Sequence, residues 1–500
     1  MNRYIIACCL MGLLFTMACE DDANFITSGD VQLEFSLDTL RFDTVFTELG
    51  SATRSIKIYN RNDGPVRIQN IYLEQGDNSK FRINVDGDPG GKSVQNAEIF
   101  ANDSIYAFIE VTIDPDDPLS NSPFVVEERL IFETNDNQQS VNLEAWGQNA
   151  NYFPSRFNKG VPVVLTCDNQ EIVWDDPKPY VIYGEVFIDS CLLTIPAGAR
   201  IHVHGGIARN DVFGVFNDGI LYFLKNGRIN VTGTVDNPVI IQGDRLEEPF
   251  LDEAGQWFGI IFGRESRGNF IEHASIRNSN VGFYADSAST VTLKNTQIYN
   301  TAGSGILAYN SGIFADNCLI YNNFGNSVQL IKGGRHVFNY CTIASYGVDA
   351  SSLAASNFFC FDDFCNVFDT NPLDAEFNNS IIFGSSRDEI VLSDVFNGEG
   401  FGQFNVRFNN CIVKIDELLT ERDGLYADFL ENQCQTCISA DRTDVLFVDP
   451  NADDYRLDSL SIADGTAKPI FLPIPINTDL LEKARDPNTP DIGCFERIEQ

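Results

Sequence analysis

The sequence predicts an all-β protein in two parts, a sandwich of short strands followed by a parallel β-helix. Three observations predict it. Strand formers and turn residues dominate the composition, with 39 Phe and 38 Gly against only three Met. About seven alternating segments fill the first 150 residues. Beyond residue 270 a segment recurs with a spacing of 22 residues (Ala274 to Thr296 to Cys318).

Five hundred residues exceed one ordinary core, so two to three domains are expected unless a repeat stretches the count. Hydrophobic residues make up 43% and aromatic residues 12%, as in folded chains. Asp and Glu total 71 against 34 Lys and Arg, a formal charge of −37. Such a field keeps a surface protein soluble and repels nucleic acid and polyanionic glycans at long range, so no nucleic-acid partner is expected.

The first 18 residues read as a signal peptide. Arg3 supplies the positive start, and Ile5 to Met17 is an apolar run too short to span a bilayer. The run ends in Phe15-Thr16-Met17-Ala18-Cys19, which resembles a lipobox with Cys19 as the lipidated mature N-terminus. Thr16 stands where such signals usually carry Leu. Glu20, Asp21 and Asp22 open an acidic tether over 19–29 and resemble the export tag of Bacteroidota surface lipoproteins. That resemblance implies an outer-membrane location, lipid-anchored and facing outward. Without Cys8, Cys9 and Cys19, ten of the 13 cysteines remain, an even number that suits an oxidising compartment. Cys360 with Cys365, and Cys434 with Cys437, are close enough to bridge locally. No second ligand pair accompanies Cys434 and Cys437, so no metal is expected there.

Residues 30–150 predict an immunoglobulin-like sandwich. Segments such as Ser55–Arg61, Val66–Leu73 and Val141–Gly147 alternate, and turn signals such as Asn62-Asp63-Gly64-Pro65 separate them. The run Ile56–Leu73, with Phe81-Arg82-Ile83 and Glu128–Gln148, resembles the Hydin-type immunoglobulin-like domains of extracellular bacterial proteins. In that class such domains serve as spacers or adhesion modules. The Cys…Trp…Cys spacing of antibody domains is absent.

Residues 160–496 carry the repeat. Ala274, Thr296, Cys318, Cys341, Ser380 and Cys411 form a column of small residues. Two residues on stands an apolar column, Ile276, Ile298, Ile320, Ile343, Ile382 and Val413. Three residues before the small column runs another, Ile271, Leu293, Ala315, Phe338, Phe377 and Phe408. Asn278, Asn300 and Asn322 predict a polar ladder at a turn, continued by Ser345. A period near 22 matches one coil of a parallel β-helix, in which like stacks on like. Residues Cys191–Gly206 and Gly227–Gly243, with the closing Pro490–Glu496, resemble right-handed β-helix proteins of the pectate-lyase-like superfold. There, Cys494 and Phe495 replace the usual Ala and Tyr.

Many enzymes of that class cut acidic polysaccharides, chemistry that needs a Lys or Arg base. Lys294, Lys332, Arg335 and Arg277 are candidate bases, and Leu330–His336 places two cations and a histidine beside a Gly-Gly bend. The Asp-Asp and Gly-His-Gly segments of polygalacturonases are missing. His202 and His204 share one strand face and are expected to be solvated. The sequence therefore supports a non-catalytic surface protein that needs no cofactor and binds a glycan or protein. The alternative is a β-helix lyase or glycoside hydrolase. The binding candidate is an insertion over 346–373, with Phe358, Phe359, Phe361, Asp362, Asp363 and Phe364 near a tip that Cys360 and Cys365 can staple.

Overall fold

The computed structural model describes residues 24–497 apart from 47–52, 113–123, 149, 154–161, 168–170, 211–213, 218, 421–423 and 471–474. The predicted signal peptide and Cys19 lie outside the described residues. Two compact units divide at Asn149 and Ala150.

The first unit is a β-sandwich of two five-stranded sheets. One is built from Glu34–Phe35, Arg54–Tyr59, Ser104–Val111, Phe81–Val85 and Asp88–Gly91. The other takes Thr39–Phe46, Asn137–Gln148, Phe124–Thr134, Val66–Leu73 and Ser93–Ile99. Pairing is antiparallel except where Thr39–Phe46 runs parallel to Asn137–Gln148. Alternation sends Ile56, Ile58, Phe81 and Ile109 from one sheet against Phe42, Ile71, Phe132 and Leu143 of the other.

The second unit is a right-handed parallel β-helix. In a regular coil the first strand is Phe283–Ala285, the second Thr290–Lys294 and the third Gln297–Thr301. Third strands stack into an 11-stranded parallel sheet, while first and second strands share a 17-stranded sheet that folds around the other two sides. The predicted columns are in register. Ile276 pairs Ile298, which pairs Ile320, and so on to Ile343, Ile382 and Val413. Phe338, Phe377 and Phe408 stack with ring centroids 5.0 Å apart, close to the rise between neighbouring strands. Cys318, Cys341 and Cys411 are buried free thiols in the small column, where their role is packing.

Asn278, Asn300 and Asn322 all hold the left-handed backbone that a one-residue corner requires. Only Asn322 donates to Asn300 Oδ1, at 2.6 Å. Asn278 instead donates to Leu251 O and Glu253 O, and Ser345 to Ala350 O, so local loops break the predicted ladder. A second corner repeats the device with His273, Asn295, Asn317, Tyr340, Asn379, Asn410 and Thr436.

The chain after Ala440 returns over the outer face of the 11-stranded sheet. Leu446, Phe447, Tyr455, Leu457 and Ile492 cover Leu319, Tyr321, Ile381, Phe383 and Ile412. Arg485 locks this cover, pairing with Glu496 at 3.2 Å and donating to Asn317 Oδ1 at 2.9 Å.

The predicted insertion 346–373 is smaller than expected. Leu353–Ser356 is the first strand of the next coil, and Leu373–Asn378 is its second. What is inserted is a hairpin, Phe358–Cys360 against Phe368–Thr370. Its Cys360 and Cys365 are bridged. A second bridge, Cys167–Cys191, joins neighbouring coils near the start of the helix. Cys434 and Cys437 are half-buried thiols here, not a bridge.

Candidate functional site

The hairpin rises from the corner between a first and a second strand, and its base is fastened to earlier coils. Phe359 meets Tyr309 edge-on, with centroids 5.5 Å apart. Asp369 pairs with Lys332, whose Nζ also lies 5.1 Å from the Tyr309 ring centroid. The ion pair raises the Lys332 pKa and lowers that of Asp369. Lys332 can reach outward because Lys332, Gly333 and Gly334 all carry positive φ, a bulge in the strand Val328–Asn339.

At the tip, Asp362 shapes the turn. It accepts from the backbone N–H groups of Phe364, Asn366 and Val367 at 3.0, 3.1 and 2.6 Å, and these bonds hold its carboxyl below the usual range. Asp363 is exposed. With the Cys360–Cys365 bridge, this turn presents Phe361, Phe364, Val367 and Phe368 to water; Phe361 is 61% and Phe364 86% exposed. Phe358 is half-buried in the strand pair. Phe359 and Phe361 meet edge-on with centroids 5.4 Å apart, while Asp362 is spent on the turn.

Toward the start of the helix, three to six strands before the hairpin's own coil, the outward positions of successive first strands carry further aromatics. Phe187, Tyr222, Ile261, Tyr284 and Leu307 stand in register, and Phe187 and Tyr222 have centroids 5.3 Å apart. Tyr222 and Tyr284 are half-buried. Burial and nearby Asp286 push both phenols up, so they are neutral hydroxyls. The signal for this row lay in Ile220–Phe223 and Phe283–Ala285, whose alternation places each tyrosine opposite the inward residues.

The catalytic candidates do not converge. His336 faces inward, fully enclosed, and burial lowers its pKa to about 4. It stands six residues after the inward Leu330 and two before the inward Phe338, and so shares their face. Arg335 remains outside over Phe314, 6.0 Å from the centroid. Lys294 lies 5.8 Å from the Phe270 centroid, at the far end of a second strand two coils before Arg335, and Arg277 bonds Gln242 at 2.8 Å on a third strand. His202 is buried rather than solvated, with its pKa lowered to about 4 by desolvation. His204 bonds Asp244 at 2.7 Å. Among the described residues, no group of three or more His, Cys, Asp or Glu is placed to hold a metal. No helix among them is long and apolar enough to cross a membrane.

Comparison with known proteins agrees with this picture in part. No curated protein matches the sequence. A Porphyromonas gingivalis protein of unknown function matches at 17% identity and TM-score 0.18, over 23% of this chain and 46% of that one. The chain thus spans less than half of that relative. A periplasmic alginate epimerase matches at 10% identity and TM-score 0.27, over 55% of this chain and 78% of the other. An alpha-1,3-glucanase catalytic unit from Streptomyces thermodiastaticus matches at 10% identity and TM-score 0.25, over 71% and 73%. The family described as "Right handed beta helix region" matches residues 207–359, which include the coils carrying the tyrosine row and end within the hairpin.

Proposed function

We propose that the protein is a lipid-anchored outer-membrane protein facing the cell exterior, without catalytic activity, and that it binds a neutral glycan or a protein through the hairpin and the same side of the helix. The N-terminal sandwich, read as a Hydin-type module, serves as spacer. One observation carries the binding reading: a disulfide-stapled hairpin, fixed to the helix by Lys332–Asp369 and Tyr309–Phe359, that leaves Phe361 and Phe364 in water. Exposed aromatics held on a rigid scaffold supply large contact area at low entropic cost. The chain's charge of −37 favours a neutral ligand over a polyanion.

Replacing Phe361 and Phe364 together by Ser removes two exposed anchors and no core. On a glycan array, or in capture of surface proteins, the double variant is expected to bind at least about tenfold more weakly than wild type, with an unchanged melting temperature. Equal binding by both proteins would remove the hairpin from the ligand site. For the anchor, Cys19→Ala is expected to move the protein from the membrane fraction to the soluble fraction. Retention in the membrane would contradict lipidation at Cys19.

A further inference from the structure

The sandwich has a recess of its own, on the outer face of its first sheet. It has a volume of 540 Å3 and lies between the strand Ser104–Val111 and the edge hairpin of Phe81–Val85 with Asp88–Gly91. Alternation along Ser104–Val111 sends Ile105, Ala107 and Ile109 into the core and leaves Tyr106, Phe108 and Glu110 outside. Register then places Asn84 opposite Phe108, and Arg82 opposite Glu110. Gly87 and Gly91 also line the recess, and they bring no side chain to fill it.

Phe108 sets the character of this recess. It is 42% exposed, and its ring centroid lies 6.1 Å from that of Tyr106 at an angle of 24°. Tyr106 carries Lys57, whose Nζ is 5.4 Å from its centroid. Among the described residues, no cation or further ring meets Phe108, so its face stays open to a ligand. Polar groups surround it. Glu110 accepts from Thr53 Oγ1 at 2.8 Å, and Asn84 Oδ1 accepts from Gly87 N at 3.1 Å. Among the described residues, Arg82 forms no ion pair and Asn84 Nδ2 meets no acceptor. The charged groups of the lining are one cation, Arg82, and one carboxylate, Glu110, so local charge balances.

We propose that this recess binds an uncharged saccharide of one or two rings, which gives the sandwich a ligand of its own. A pyranose presents an apolar C–H face and a rim of hydroxyls. Phe108 offers the apolar face a ring to stack on, while Arg82 and Asn84 donate to hydroxyls and Glu110 accepts from them. A volume of 540 Å3 lies within the range of small-ligand pockets. Balanced local charge gives an ion no net attraction, and the chain's charge of −37 repels an acidic sugar. A second copy of the chain would bring that same charge against the recess and fits it worse.

Isothermal titration of the purified full chain tests this with cellobiose, maltose, lactose and mannobiose. The protein carries Phe361→Ser and Phe364→Ser, so that the hairpin does not contribute. Saturable binding of at least one of the four disaccharides is expected. Phe108→Ala in that background is expected to weaken it at least about tenfold at an unchanged melting temperature, since the ring lies outside the core. Arg82→Gln, at an exposed position, is expected to weaken it about threefold and covers the case in which Phe108→Ala does not fold. No saturable binding of any of the four, undiminished binding by the folded variants, or a dimer that Phe108→Ala dissociates would overturn the proposal.

Discussion

Glu389 sits without exposure at the corner that follows the strand Ile381–Gly384, accepting from Ser352 N and Ser352 Oγ at 2.8 Å and from Ser386 N at 2.7 Å. Burial raises its pKa from 4.5 to about 7 against the opposing pull of those donors and of Lys414. The consequence for stability has a definite sign. Below about pH 4.5 the carboxyl is protonated in both the folded and the unfolded chain, and nothing is lost. As pH rises toward 7 the unfolded chain ionises freely while the folded chain resists, so this group's contribution falls by about 3 kcal/mol. Glu389→Gln keeps an acceptor for the serines and cannot ionise. Its melting temperature is expected to change less than that of wild type between about pH 5 and about pH 8. An identical pH profile in the two proteins would show that Glu389 ionises as readily folded as unfolded. Nothing in the sequence marked this glutamate, because its main donor, Ser352, lies 37 residues upstream and meets it only through the stacking of coils. By contrast, the roles of Cys318, Cys341 and Cys411 were legible, since each sits in register with another small residue.

At the scale of elements, the β-helix reads clearly from sequence and its loops do not. Stacked columns repeat the same residue type at the same position, so a local comparison finds them. Gly384 shows the limit of that reading. It ends a third strand, and a side chain there would meet Ser345 O at 1.9 Å and Glu389 Oε1 at 2.5 Å, both outside its own strand. The hairpin 358–370 was legible as aromatic and stapled, but its seat was not: Tyr309 and Lys332 lie more than 25 residues upstream and reach it only through stacking of coils. The bounds of the insertion were overstated for a related reason. Leu353–Ser356 is too short to show a period by itself and is a strand only because it pairs with Val328–Leu330 on one side and Ile390–Ser393 on the other. Because Asn371 N bonds Asn357 O at 3.0 Å, the two ends of the hairpin already meet. The hairpin can therefore be excised between them and replaced by a short Gly-Ser bridge with the coil preserved.

For the whole molecule, the reading proposed above, a surface that captures rather than cleaves, rests on the charge of −37 and on the exposed aromatics of the hairpin. The β-helix fold is shared by enzymes and by proteins without activity, so the fold alone decides neither. The deciding experiment exposes wild type and the hairpin-excised protein to a panel of neutral polysaccharides and follows retention and new reducing ends together. Retention of at least one polysaccharide by wild type, without product, and loss of that retention on excision at an unchanged melting temperature is the expected result. New reducing ends or unsaturated products from wild type, or retention that survives excision, would contradict it.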